Sequence, residues 1–269
     1  MSEPLLVTEK LEVVYGEVVR AMQGVSLAVR EGSIVALVGL NGAGKTSTLR
    51  AISGFLPAEK AEITDGAIRF AGRPIRGLRP DQTARMGIAL VPEQNKVFTT
   101  LTIHENIEIG WRGRHSPEGS TPKVTLSNIY DLFPLLAEKR DRRAILVSGG
   151  ERQLTAIAAA LLSQPRLMMV DEVSLGLSPA MASLVLSSLK ELNRELGLTL
   201  LIVDQNVRAA LEIADRGYIM ENGLIVYDGT ADTLTAHADV QEFYLGVSGN
   251  ERQSYRDVKQ YRRTRRWWG

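Results

Sequence analysis

The sequence predicts an α/β fold: a largely parallel β-sheet with helices on its faces, plus an antiparallel β portion and a helical insertion. Three observations predict it. Beyond Gln164-Pro165, strand-like and helical runs alternate: "RLMMV", Ser178 to Leu196, "LTLLIV", Val207 to Ala214, then "RGYIM". Such alternation is the pattern of parallel strands joined by helical crossovers. Second, the apolar run "SIVALVG" reads as a strand buried on both faces, and it feeds a glycine-rich loop that opens a helix. Third, the first thirty residues, "LLVTEKLEVVYG" and "VSLAVREG", alternate in strand fashion between the punctuating Gly16 and Gly32, which predicts a small antiparallel layer.

In chain order, the helix "KTSTLRAISGF" stops near Gly54, "GAIRFAGRPI" returns to strand character, and "IALVPE" is another short buried strand. From about Leu101 to Lys139 the reading is mostly helical. It opens on "TIHE", Thr102 to Glu105, where Thr and Glu three apart form a capping box. A polar loop, "HSPEGSTPK", interrupts this region. The insertion from about residue 95 to 160 reads as a helical subdomain, the body runs over 1–248, and 249–269 is a basic tail ending in Trp267 and Trp268.

Composition excludes several classes. The chain has 269 residues, 44% of them hydrophobic, enough for a full core, and no cysteine, hence no disulfide framework or thiolate metal site. His104, His115 and His237 are scattered and make no metal cluster. The start, "MSEPLLVTEK", has no secretory pattern, and no run approaches the ~18 apolar residues of a spanning helix, so a soluble, cytoplasmic chain is expected. The net charge is +1, but "NERQSYRDVKQYRRTRRWWG" alone carries seven Arg or Lys against two acids. The body is therefore mildly acidic, which argues against nucleic-acid binding.

Three stretches carry chemistry. "VALVGLNGAGKTSTL" holds Gly39, Leu40, Asn41, Gly42, Ala43, Gly44, Lys45, Thr46 and Ser47 between a strand and a helix. Closely spaced glycines let backbone N–H groups converge on phosphate oxygens, and the helix adds its positive end. Lys45 supplies a cation to the β and γ phosphates, and the Thr46 hydroxyl is placed for Mg²⁺. "LMMVDE" ends a buried strand in Asp171 and Glu172. A parallel sheet would bring them beside the loop, with Asp171 holding Mg²⁺ through water and Glu172 orienting or deprotonating an attacking water. "VSGGERQLTAIAAALL" starts a helix at Ser148, Gly149, Gly150 and Glu151, a capped end that is also a second anion site.

These stretches, in this order, resemble the ATPases of the ABC transporter family. The resemblance covers all but the tail: Gly39 to Thr46 as Walker A, Ser148 to Glu151 as the signature, Asp171-Glu172 as Walker B and "SLGLS" from Ser174 as the D-loop. It implies a P-loop, RecA-like core with an antiparallel β subdomain and a helical subdomain, and it gives Tyr15 the adenine-stacking role. It implies ATP and Mg²⁺ as ligands, hydrolysis coupled to transmembrane transport, and a peripheral position on the cytoplasmic face of the membrane beneath two permease subunits. It also implies a head-to-tail pair of cassettes, each ATP held between one chain's loop and the other's signature.

Three departures from the commonest pattern narrow the expectation. Glu93, followed by Gln94, stands where a glutamine is usual; the signature reads "VSGGE"; and Gln205 replaces the switch histidine. A glutamine amide donates a hydrogen bond but cannot carry a proton. With "SLGLSP" and "DQNVRAALEIADR", these features look like the smaller ATPase subunit of branched-chain amino-acid-type importers. That subfamily implies pairing with a second, different ATPase and, indirectly, a solute-binding protein. The alternatives are an exporter or lipid-transport cassette and a weakly hydrolysing regulatory one. The spacing between the two Walker stretches leaves no room for the coiled-coil arms of a DNA-repair clamp.

Overall fold

The computed structural model describes residues 3–16, 18–94, 96–112 and 124–245. The loop at 115–123 and the basic tail therefore lie outside the described residues. β1 (Leu6–Tyr15) and β2 (Val19–Val29) form an antiparallel hairpin with Tyr15 opposite Val19. β3 (Ile34–Val38) is buried at all five positions, as a central parallel strand must be when both faces are covered. α1 (Lys45–Ser53) follows, and the chain returns through β4 (Ala61–Phe70) and β5 (Arg73–Pro74) to extend the hairpin into a four-stranded antiparallel sheet, ordered β2-β1-β4-β5.

After α2 (Pro80–Arg85) and β6 (Ile88–Val91) comes the helical region: α3 (Ile103–Arg112), α4 (Ile129–Leu132), α5 (Pro134–Ala137) and α6 (Gly149–Leu162). The expected capping box of α3 forms: Glu105 N–H donates to Thr102 Oγ1 at 3.1 Å, and Thr102 N–H donates to Glu105 Oε2 at 2.7 Å. The remainder alternates as expected: β7 (Leu167–Val170), α7 (Pro179–Leu196), β8 (Thr199–Asp204), α8 (Val207–Ile213) and β9 (Arg216–Glu221). A strand the pattern reading missed, β10 (Leu224–Thr230), pairs antiparallel with β9 before α9 (Ala231–Ala236) and α10 (Ala238–Phe243).

The second sheet has the order β10-β9-β3-β8-β7-β6 and is parallel from β9 to β6. Side chains alternate across a strand, and here the two faces feed two separate cores. Ala36, Val38, Met168, Val170, Leu200 and Ile202 pack with Ile103, Ile157, Val185 and Leu211 of the helices. Val35, Leu37, Leu167, Met169, Leu201 and Val203 pack with Leu49 and Ile52 of α1 and with Leu6, Val13 and Phe70 of the antiparallel sheet. α1 is thus wedged between the two sheets. Each fully buried Leu or Ile contributes about 2 kcal/mol of transfer free energy, and that burial holds three strand ends, those of β3, β8 and β7, side by side.

Candidate nucleotide site

The site lies where that topology places it, beyond the carboxyl ends of adjacent parallel strands. The register pairs Val38 with Asp204 and Val170 with Ile202, so the loops leaving β3, β8 and β7 are neighbours. Two glycines of the first loop are required by geometry. A Cβ on Gly39, at φ 153°, would sit 2.2 Å from the Met220 carbonyl oxygen; one on Gly44, at φ 105°, would sit 2.6 Å from the Ala21 carbonyl oxygen. Only a residue without a side chain lets the loop pass this close to its neighbours and still open α1.

The chemistry-bearing side chains converge. Lys45, 4% exposed, donates to the Gly39 and Leu40 carbonyls at 2.9 and 3.1 Å, and its Nζ lies 3.2 Å from Glu172 Oε1. The other Glu172 oxygen, Oε2, accepts from the Gln205 side-chain amide at 3.0 Å. Thr46 Oγ1 donates to Asp171 Oδ1 at 3.2 Å. Burial raises the Asp171 carboxyl to about 6; the Thr46 hydrogen bond opposes the shift, and the negative charges of Glu172 and Glu93 add to it. Glu172 is itself buried and adopts φ 47°. That left-handed conformation is uncommon for a side-chain-bearing residue and costs on the order of 1–3 kcal/mol. Such strain persists where the surroundings over-determine a functional geometry.

Of these groups, Lys45, Thr46, Glu172 and Gln205 wall a cleft of about 450 Å³ together with Asn41 to Gly44 of the glycine-rich loop, Glu93 and Leu175; Asp171 is hydrogen-bonded to Thr46 but is not in the wall. Glu93 faces this cleft, whereas Gln94 is exposed with its amide 3.4 Å from Glu93 Oε1. Tyr15 is half-buried, its hydroxyl 3.1 Å from Ser47 Oγ, and is not part of the cleft wall.

Ser148, Gly149, Gly150 and Glu151 do not wall the cleft either. They form a separate helix start on α6, where Ser148 is exposed, Gly149 is half-buried, and Gly150 and Glu151 are buried. Ser148 N–H donates to Glu151 Oε2 at 2.8 Å, Glu151 N–H donates to Ser148 Oγ at 3.2 Å, and Lys139 pairs with Glu151 Oε1. Burial pushes the Glu151 carboxyl up, but Lys139 and the Ser148 hydrogen bonds outweigh it and hold the group below its ordinary value. Its charge is therefore spent on the cap and on Lys139.

Sequence reasoning missed a second polar link. Lys96, just past Glu93, donates to Gln153 Oε1 on α6, and burial lowers its pKa. Gln153 Nε2 is the buried side-chain polar atom left without a partner among the described residues.

Comparison with known proteins agrees with this geometry. The ABC transporter family matches residues 22–174, more than half of the chain. The chain is 38% identical over 242 residues to the high-affinity branched-chain amino acid transport ATP-binding protein BraG of Pseudomonas aeruginosa, covering 90% of this chain and 100% of that one. It is 34% identical to the probable branched-chain amino acid transport ATP-binding protein LivF of Archaeoglobus fulgidus, over 90% and 99% of the two chains. Among solved structures it is similar to an ATP-binding cassette of an ABC transporter in its ADP conformation, with a TM-score of 0.75 at 26% identity over 91% of this chain and 100% of that one. With the phosphate loop, the paired acids and the separate capped helix all in place, the chain belongs to the ABC transporter family as one of its ATP-binding cassettes.

Proposed function

We propose that this chain is the ATP-hydrolysing subunit of an ABC importer for branched-chain or related amino acids or small organic solutes. The observation that carries the reading is the convergence of Lys45, Thr46, Glu172 and Gln205 on one cleft, with Asp171 hydrogen-bonded to Thr46, in a chain aligned nearly end to end with amino-acid-transport cassettes. The loop N–H groups and the start of α1 hold the phosphates, and Lys45 supplies the countercharge. The Thr46 hydroxyl and the Asp171 carboxylate are hard oxygen donors, 3.2 Å apart, and fit Mg²⁺, which binds through one or two protein oxygens together with substrate phosphates. Mg²⁺ held by these two residues would supply positive charge to the bound phosphates. Glu172 takes the proton of the attacking water on a carboxylate oxygen, and the Gln205 amide holds that carboxylate in position.

The cassette body, 1–248 with its helical part at about 95–160, is peripheral: among the described residues no helix is long and apolar enough to cross a membrane. It docks under two permease subunits on the cytoplasmic face. Exposed Ser148, on a helix start outside its own cleft, completes the site of a second cassette placed head to tail. The neutral Gln205 supports pairing with a different ATPase rather than a second copy. The test is uptake into vesicles holding the assembled transporter. ATP should drive leucine-class uptake, and Lys45→Ala should abolish both uptake and hydrolysis at this chain's loop, because the phosphates lose their main buried cation. Unchanged uptake with Lys45→Ala would overturn the reading.

A further inference from the structure

Asp204 closes β8 and is 1% exposed. A buried carboxylate is costly unless its oxygens are satisfied, and those of Asp204 are, by neutral donors from two loops. Oδ2 accepts from Ser174 N–H at 2.8 Å, while Oδ1 accepts from the Ser174 hydroxyl at 2.7 Å and from Asn206 N–H at 2.8 Å. Ser174 lies two residues beyond Glu172, and Asn206 is next to Gln205. One carboxylate therefore ties the loop leaving β7 to the loop leaving β8, and the Gln205–Glu172 hydrogen bond of 3.0 Å spans the same two loops. Leu175, next to Ser174, is in the cleft wall.

We propose that Asp204 is a positioning residue for hydrolysis: it staples Ser174 to Asn206 and thereby sets the distance and angle at which Gln205 holds Glu172. This rests on the reading of the cleft as the hydrolytic site. Asp204 is not in the cleft wall, and its side-chain hydrogen bonds go to Ser174 and Asn206. Its contribution is to turnover and not to nucleotide affinity, because a small displacement of a positioned base costs far more in rate than in binding. The charge matters as well as the shape. An asparagine at 204 would retain one acceptor but present an N–H₂ either to the Ser174 N–H or to the Ser174 hydroxyl and the Asn206 N–H, all three of which now donate.

The experiment measures turnover and nucleotide affinity in the assembled transporter for Asp204→Asn, Ser174→Ala, Gln205→Ala and the Asp204→Asn/Gln205→Ala pair. Asp204→Asn should lower kcat on the order of 10–100-fold with KM and nucleotide affinity within about twofold. Ser174→Ala, which deletes one hydroxyl and leaves the backbone bonds, should fold normally and lower kcat by a smaller factor of the same sign. Because Asp204 acts through Gln205, the double variant should be no slower than the slower single one. Wild-type kcat in both Asp204→Asn and Ser174→Ala, a rise in KM without a fall in kcat, or losses that multiply in the pair would each overturn the proposal. Glu172→Gln serves as the control: retained turnover there would bring down the reading of the cleft itself, and the proposal with it.

Discussion

Lys45 and Gln205 reach different oxygens of the same carboxylate, Glu172 Oε1 and Oε2. In the proposed mechanism the cation that faces the phosphates and the carboxylate that activates water thus belong to one polar unit. The choice of glutamine at 205 follows from that unit. Its amide donates to Glu172 over the whole physiological pH range, whereas an imidazole there titrates near pH 6.5. Gln205→His should therefore preserve turnover at pH 8 to within about threefold and introduce a pH dependence near 6–7 that the wild type lacks. Parallel pH–rate profiles of the two forms check this, and a profile unchanged in shape would contradict it. The glycine loop, Asp171 and Glu172 were legible in the sequence because short, fixed spacings carry their chemistry. The positive φ of Glu172 and the role of Asp204 were not. Both depend on what a loop from one strand meets on another, and Asp204 reads locally as an unremarkable acid ending "LTLLIV".

At the scale of elements, helix starts were the most legible feature. The boxes at Thr102–Glu105 and Ser148–Glu151 both form, because each needs only a hydroxyl and a carboxylate three residues apart. The cap on α6 adds Lys139, which holds Glu151 below the ordinary glutamate value. A carboxylate with a depressed folded-state pKa contributes stability above its unfolded pKa and loses it as pH falls through the folded one. Glu151→Gln should therefore melt below the wild type at pH 7, and the gap should narrow below about pH 4. Melting curves at several pH values decide it; a constant gap would assign the loss to packing instead. β10 escaped the pattern reading although its turn was available. Asn222 and Gly223, at φ 46° and 78°, are the Asn-Gly pair of a tight hairpin.

At the scale of the molecule, the alternation of strands and helices and the approach of the Asp171 strand to the glycine loop were readable, but the insertion of β8 between β3 and β7 was not, since β3 and β8 are more than a hundred residues apart. That strand order brings Lys45, Asp171, Glu172 and Gln205 together while leaving Ser148 exposed on a helix start elsewhere. The division gives the cassette its proposed logic: a nearly complete hydrolytic half-site on one surface and a capped anion site offered to a second chain on another. The Glu172 carboxylate is the centre of the proposed mechanism, and Glu172→Gln tests it most directly, since the change keeps the side chain's shape and one of its two acceptor oxygens but removes the base. In the assembled transporter, nucleotide bound at this chain's loop and its turnover should be measured on the same sample. The account predicts ATP bound as tightly as in the wild type and hydrolysed at that site about 10²–10⁴-fold more slowly. Near-normal turnover at that site, or binding lost together with turnover, would contradict it.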